Sequence, residues 1–468
     1  MNRRLALGLA PAVLLALWAC SPLSPGVPTY SPLDIFEAAK PAVVMVETAN
    51  AVTWSVPQPS LTPQKEQQLR SAVVAMVRSG QVANNESAIG QASVRLLTDN
   101  PGSWFTAGGQ RHQQTDSVLA LGTGFFVTEN GYLLTNNHVV ETSADDIKQQ
   151  LLDQLQRAGG DPKELATFRD ETSRGLGVSI TDVQASRLFT WMLGVFKSDL
   201  RVTGIDRTYR IGFGTVSPAD VQSKGTAVQL VSHGQSTPGR DVAVLKAPGG
   251  PFVSLAGAPG MPGRGAGLAV IGYPCKCGDG STFDATQPLR PVLTSGTARE
   301  EVAMQGGWYA LGTDAPIEHG NSGGPVLDDT GRVVGLATFS DAAAEGAPRS
   351  FAVPMGVAVP FVRDVHVQPA QGALGQKYGQ AVTEYRQQHF RAALPLFQQV
   401  ARADPTDPYA QQYVAQTQRA IAAGRDQTPP LAGALPVVAV AVYVLVSAAA
   451  VVIGVVVYRR RRRLVHGY

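Results

Sequence analysis

Between Glu318 and Val326 the chain sets three glycines, Gly320, Gly323 and Gly324, and Pro325 around one serine, Ser322. Such a stretch cannot be the interior of a helix or of a regular strand, because each glycine weakens those elements and marks a turn or a close backbone approach. It must be a tight loop between two framework elements, and it leaves almost no side chain beside the serine hydroxyl. That bareness suits a nucleophile, which a carbonyl and backbone N–H donors must reach together. A plain glycine turn between strands would look the same locally. What stands elsewhere in the chain, and in what order, decides between them.

The framework reads as β. Short apolar runs at 42–47, 122–127, 131–140, 200–205, 209–213, 227–232, 241–246, 267–272, 292–298, 308–312, 333–338 and 351–353 are separated by Gly- and Pro-containing turns. Regular short strands of this kind predict a barrel or a sandwich. A short helix at 34–40, closed by Pro41, precedes the first of them. Two stretches break the pattern. Residues 50–117 are polar with two helical patterns, one opening at Thr62-Pro63 with Leu69, Val73 and Val77 on a face. Residues 143–198 carry Ile147, Leu151 and Leu155 at helical spacing, a second start at Asp161-Pro162, and an apolar helix with Leu188, Phe189, Met192 and Phe196. Both read as helical insertions.

A serine nucleophile needs a base within reach of its hydroxyl and an acid that orients the base. Before Ser322 the chain offers His138, at the end of the second strand, and Asp241, opening a strand. An α/β-hydrolase elbow would put serine first and histidine last, among alternating strands and helices; here only His366, His389 and His466 follow Ser322. The segments Thr135-Asn136-Asn137-His138-Val139-Val140, Asp241-Val242-Ala243-Val244-Leu245-Lys246 and Gly320-Asn321-Ser322-Gly323-Gly324-Pro325 resemble the active-site segments of HtrA/Deg-type chymotrypsin-fold serine proteases. Residues 268–274, 294–296, 313–317 and 351–354 are similar to that group in the same order. The resemblance covers residues 33–367 and implies a mainly β fold of two six-stranded barrels with the site between them. It implies His138 as base, Asp241 as its orienting acid, Ser322 as nucleophile, and the N–H groups of Gly320 and Ser322 as an oxyanion hole. Pro316, six residues before the serine, replaces the acid that would favour Lys or Arg; the resemblance suggests small aliphatic side chains instead. His319 departs from the small or Pro residue expected beside that loop.

The ends set the compartment. Arg3 and Arg4 before an apolar run to Ala19 predict an export signal over residues 1–20, and Leu17-Trp18-Ala19-Cys20 suits either a lipid-attachment site or an ordinary signal. A Pro/Ser linker follows to residue 32. Residues 435–457 are uncharged and long enough to span a bilayer, and five arginines at 459–463 predict that the tail, 458–468, stays cytoplasmic. Those five lie among 39 basic residues against 36 acidic ones, so the body is slightly acidic, which argues against a nucleic-acid partner. Three cysteines, Cys20, Cys275 and Cys277, support neither a disulfide framework nor a metal site. Cys275 and Cys277 could pair or remain thiols. Residues 374–424 place Ala381, Phe390, Ala393, Phe397 and Pro405 at tetratricopeptide-like spacing where the family usually has a PDZ domain, with residues 425–434 as a linker. The chain thus reads as a membrane-anchored extracytoplasmic serine endopeptidase acting on proteins or peptides, without a cofactor and with self-association open. The alternative is a latent protease-fold scaffold that binds partners through its insertions and repeat.

Overall fold

The computed structural model describes residues 29–275, 286–341 and 349–429. The expected signal segment, Cys277, the membrane span at 435–457 and the basic tail lie outside them. No helix among the described residues is long and apolar enough to cross a membrane. Among the described residues, one compact unit comprises residues up to Gln376 together with Ala403–Tyr409; Lys377–Arg402 and residues 410–429 form a second.

The first unit holds two closed six-stranded barrels. Strands β1 (Val43–Leu61), β2 (Phe105–Phe126), β3 (Tyr132–Thr135), β4 (Arg201–Phe213), β5 (Thr226–His233) and β6 (Ala243–Lys246) close in the order β1-β2-β3-β6-β5-β4. Strands β7 (Gly267–Gly272), β8 (Val292–Met304), β9 (Trp308–Thr313), β10 (Pro325–Asp328), β11 (Val333–Asp341) and β12 (Arg349–Pro354) close in the order β7-β8-β9-β12-β11-β10. All pairings are antiparallel. Inward-facing alternate residues fill each barrel: Val44, Val46, Phe126, Leu133 and Leu245 in the first, Leu268, Val270, Leu311, Val326 and Ala352 in the second. Phe126, Phe213 and Phe252 form a cluster of stacked rings, with Phe126 4.4 Å from Phe252 and 6.1 Å from Phe213.

Helix α1 (Pro32–Ala39) precedes β1, capped by the Ser31 hydroxyl on the Asp34 N–H. Between β1 and β2 lie α2 (Pro63–Arg78), α3 (Glu86–Asp99) and the short α4 (Pro101–Trp104). After β3 come the four-residue α5 (Asn137–Val140), then α6 (Ala144–Gly160), α7 (Pro162–Leu176) and α8 (Asp182–Asp199). Thr62 before α2 and Asp161 before α7 cap the helix starts that the sequence predicts, and a reciprocal Thr181–Gln184 capping box opens α8. Helices α9 (Pro218–Lys224) and α10 (Met355–Asp364) complete the barrels' surroundings.

The first insertion is shorter than the sequence reading placed it. Residues 50–61 and 105–117 are a continuation of β1 and β2, a long ribbon whose Val52, Trp54 and Val56 pack with Ile147 and Leu151 of α6 and with Leu200. Their period-two spacing is a strand signal, but Pro57, Gln58 and Pro59 interrupt it at the register shift and make the stretch look like polar loop. His138 likewise lies three residues beyond β3, in α5, rather than at the strand end.

The second unit carries most of α11 (Ala373–Arg386), α12 (Phe390–Ala403) and α13 (Pro408–Ala422). Its core is aromatic: Phe397 stacks on Tyr413 at 4.7 Å, and Tyr378 meets Phe397 edge-on at 5.7 Å. Buried Ala381, Ala393 and Ala420 let the helices approach closely.

Candidate active site

Three loops converge where the barrels meet. The turn after β3 carries His138, the turn into β6 carries Asp241, and the glycine loop into β10 carries Ser322. The first two are tied together by Asn136, whose Nδ2 donates to the Asp241 carbonyl at 2.7 Å. Asp241 is fully buried. Its Oδ1 accepts the His138 backbone N–H at 2.9 Å, and its Oδ2 stands 2.7 Å from His138 Nδ1. Burial pushes the Asp241 carboxyl up, but hydrogen bonds from His138 and from the Thr338 hydroxyl outweigh it and hold the group below the usual carboxylate range. An ionised Asp241 then keeps the proton of His138 on Nδ1 and leaves Nε2 free to accept. The His138 side chain is 40% exposed, so a substrate can reach it.

Ser322 is joined to this pair through Thr338 of β11. The Thr338 hydroxyl donates to Asp241 Oδ2 at 2.8 Å, and the Thr338 carbonyl accepts the Ser322 hydroxyl at 2.9 Å. Among the described residues Ser322 makes no hydrogen bond with His138. Thr338 escapes a reading of the sequence, although the apolar run of β11 ends on its hydroxyl sixteen residues after the serine.

The glycine loop is stitched to the first barrel by Thr123 of β2. Its N–H donates to the Ser322 carbonyl at 2.8 Å and its hydroxyl to the Gly320 carbonyl at 2.6 Å. That closeness requires glycine at 323. Gly323 has φ +86, and a Cβ there would stand 2.2 Å from the Thr123 carbonyl oxygen and 2.3 Å from Thr135 Oγ1. Replacing Gly323 with Ala should destabilise the protein by at least about 2 kcal/mol, from backbone strain and a collision with backbone that cannot swing aside. Denaturant unfolding checks it; a fold as stable as the wild type would contradict the packing. Gly320 also has positive φ, +90. Among the described residues the N–H groups of Gly320 and Ser322 have no acceptor, and His319 is exposed.

Next to the loop, the Ser340 hydroxyl donates to the Ile317 carbonyl at 2.8 Å and lies 3.2 Å from the Ser350 hydroxyl, which accepts the Ile317 N–H at 3.3 Å. Thr294 Oγ1 donates to the Pro316 carbonyl at 2.8 Å. Cys275 is disulfide-bonded. Among the described residues no three His, Cys, Asp or Glu side chains are grouped to hold a metal ion.

Residues 122–336 match the family model of the trypsin-like peptidase domain. A search of curated proteins finds no match. Among solved structures the chain is similar to the Rv3671c protease of M. tuberculosis in its active form, at 16% identity over 74% of this chain and 93% of that one, with a TM-score of 0.35. A serine endoprotease from Yersinia pestis shares 17% identity over 72% and 67% of the two chains, with a TM-score of 0.33. An HtrA-type protease with a decapeptide shares 18% over 72% and 67%, with a TM-score of 0.34. At those scores the structural likeness adds no weight to the family match. Residues 122–336 thus carry a trypsin-like peptidase domain, which supports a serine endopeptidase.

Proposed function

We propose that Ser322 is the nucleophile, His138 the general base and Asp241 its orienting acid, in an endopeptidase held at a membrane with its barrels outside the cytoplasm. The observation that carries this reading is the buried Asp241 carboxylate, which grips His138 at 2.7 Å and, through Thr338, the residue that binds the Ser322 hydroxyl. Rotation about the Ser322 Cα–Cβ bond exchanges the Thr338 carbonyl for His138 Nε2. Nε2 then takes the hydroxyl proton as Oγ attacks the peptide carbonyl. The N–H groups of Gly320 and Ser322, which have no acceptor among the described residues, receive the negative charge that develops on the carbonyl oxygen. His138 returns its proton to the departing amine, and water repeats the sequence on the acyl-enzyme. The hydroxyls of Ser340 and Ser350 beside Ile317 supply no negative charge for a Lys or Arg side chain, which fits cleavage after small residues. The uncharged run at 435–457 and the arginines after it support the anchor, and paired helices at 374–424 support a repeat-like module.

The Thr338-bound hydroxyl also favours a second reading, a latent state that substrate must release. A fluorophosphonate probe separates active from inert. The wild-type protein should be labelled and the Ser322→Ala variant should not; wild-type protein left unlabelled, even with added unfolded protein, would overturn the nucleophile.

A further inference from the structure

The peptide planes on both sides of Gly320 are fixed from one short segment after β7. The Cys275 N–H donates to the His319 carbonyl at 2.8 Å. A trans peptide holds its N–H opposite its carbonyl, so this bond sets the direction of the Gly320 N–H. The next carbonyl, of Gly320, accepts the Thr123 hydroxyl, which itself accepts the Tyr273 N–H at 2.9 Å. The Tyr273 carbonyl approaches Gly320 so closely that a Cβ there would stand 2.2 Å from it. The orientation of the Gly320 N–H therefore depends on where Tyr273 and Cys275 stand.

Tyr273 is 1% exposed, and what holds it is far away in sequence. Its hydroxyl donates to the Gly214 carbonyl at 2.9 Å. Gly214, at φ +68, carries Pro408 against it: a Cβ there would meet Pro408 Cγ at 2.6 Å. Tyr409 follows Pro408 in the chain; burial foremost, and the neighbouring Tyr409 phenol after it, push the Tyr273 hydroxyl well above the usual tyrosine range. The ammonium of Lys40, the residue just after α1, lies 4.7 Å from the Tyr409 ring centre and holds the ring from that side. The corner is internally braced. The Asp404 carboxylate accepts the Thr406 N–H and hydroxyl, and Asp407 Oδ1 accepts the Tyr409 N–H at 2.8 Å, capping α13. Ala403–Tyr409 belongs to the same compact unit as the barrels, although it lies beyond the 122–336 peptidase match.

We propose that the Ala403–Tyr409 corner is a positioning element of the peptidase, which through Pro408 on Gly214 and Tyr409 beside Tyr273 keeps the Gly320 N–H aimed at the reacting carbonyl. The idea rests on the proposed role of Gly320 as an oxyanion donor. Tyr409 touches no substrate; it acts through Tyr273.

The test uses full-length protein in detergent and a chromogenic peptide substrate. Tyr409→Ala should lower kcat between about tenfold and about a hundredfold while KM changes less than about twofold, the signature of a lost transition-state contact. A peptide aldehyde, which mimics the tetrahedral adduct, should weaken by the same factor as kcat/KM. Tyr409→Phe keeps the ring and should restore kcat. Pro408→Ala, a smaller change, should shift kcat in the same direction and carries the test if Tyr409→Ala does not fold. Unchanged kcat in both variants, or a loss confined to KM, would overturn the proposal. Hydrolysis that survives Ser322→Ala would instead overturn the underlying assignment, so the two failures are distinguishable.

Discussion

Replacing Asp241 with Asn should lower kcat for peptide hydrolysis by about 10⁴-fold while leaving the fold in place. The argument is one of protons. Asp241 accepts three hydrogen bonds, from the His138 N–H, His138 Nδ1 and the Thr338 hydroxyl. An asparagine fills the same volume, and its carbonyl can still accept the His138 backbone N–H. Its amide then faces Nδ1 as a donor, so the imidazole must turn that nitrogen into an acceptor and carry its proton on Nε2. Nε2 can no longer take the Ser322 proton. The Thr338 hydroxyl can reverse its bond and accept from the amide, so stability changes little. The measurement is kcat with a peptide substrate, beside denaturant unfolding of the same variant. A loss under about tenfold would mean that Asp241 does not set the tautomer of His138.

The three polar residues of that argument were legible in the sequence, and the fourth was not, for a physical reason. His138, Asp241 and Ser322 each sit at the edge of an apolar run, so chain order and strand context mark them. Thr338 acts through one hydroxyl and one carbonyl, and its carbonyl is chemically the same as any other. Only the closure of β11 beside the glycine loop gives it a role. Thr123 and Tyr273 are hidden in the same way, because what they do is hold a backbone. Among the framework elements the barrel strands show as alternation. The ribbon of β1 and β2 is obscured by Pro57 and Pro59, and β10 by the glycines and Pro325 that open it. The amphipathic helices of the second insertion are clear, because Ile147 and Leu151 of α6 stand at helical spacing and are buried as that spacing requires, as is Leu188 of the apolar α8.

Glu47 is the residue whose character the sequence conceals most, and its replacement by Gln should abolish a large pH dependence of stability. Read in sequence it is a polar residue closing an apolar run; in the fold it is 1% exposed, between Leu121 and Arg210 on the neighbouring strands. Neither carboxylate oxygen has a hydrogen-bond partner among the described residues. The Arg210 guanidinium, whose Nη1 donates to the Gly225 carbonyl at 2.8 Å, acts on Glu47 through its charge alone among the described residues. Burial therefore pushes the Glu47 carboxyl from 4.5 up to about 7, with Arg210 drawing it only partly back. The folded state holds its proton more tightly than the unfolded chain does. Glu47 thus costs nothing in ionisation below pH 4.5, the unfolded value, and becomes progressively destabilising as pH rises to about 7. Above that the penalty is constant, at about 3 kcal/mol. Glu47→Gln removes the ionisation and keeps the shape, so the variant should gain about 3 kcal/mol on the wild type between roughly pH 4 and pH 8, most of it below neutrality. Urea unfolding of both proteins across that range reads the difference directly. A gap that does not change with pH would mean that Glu47 ionises as freely in the fold as in the unfolded chain, and would put its carboxylate in contact with water or a cation.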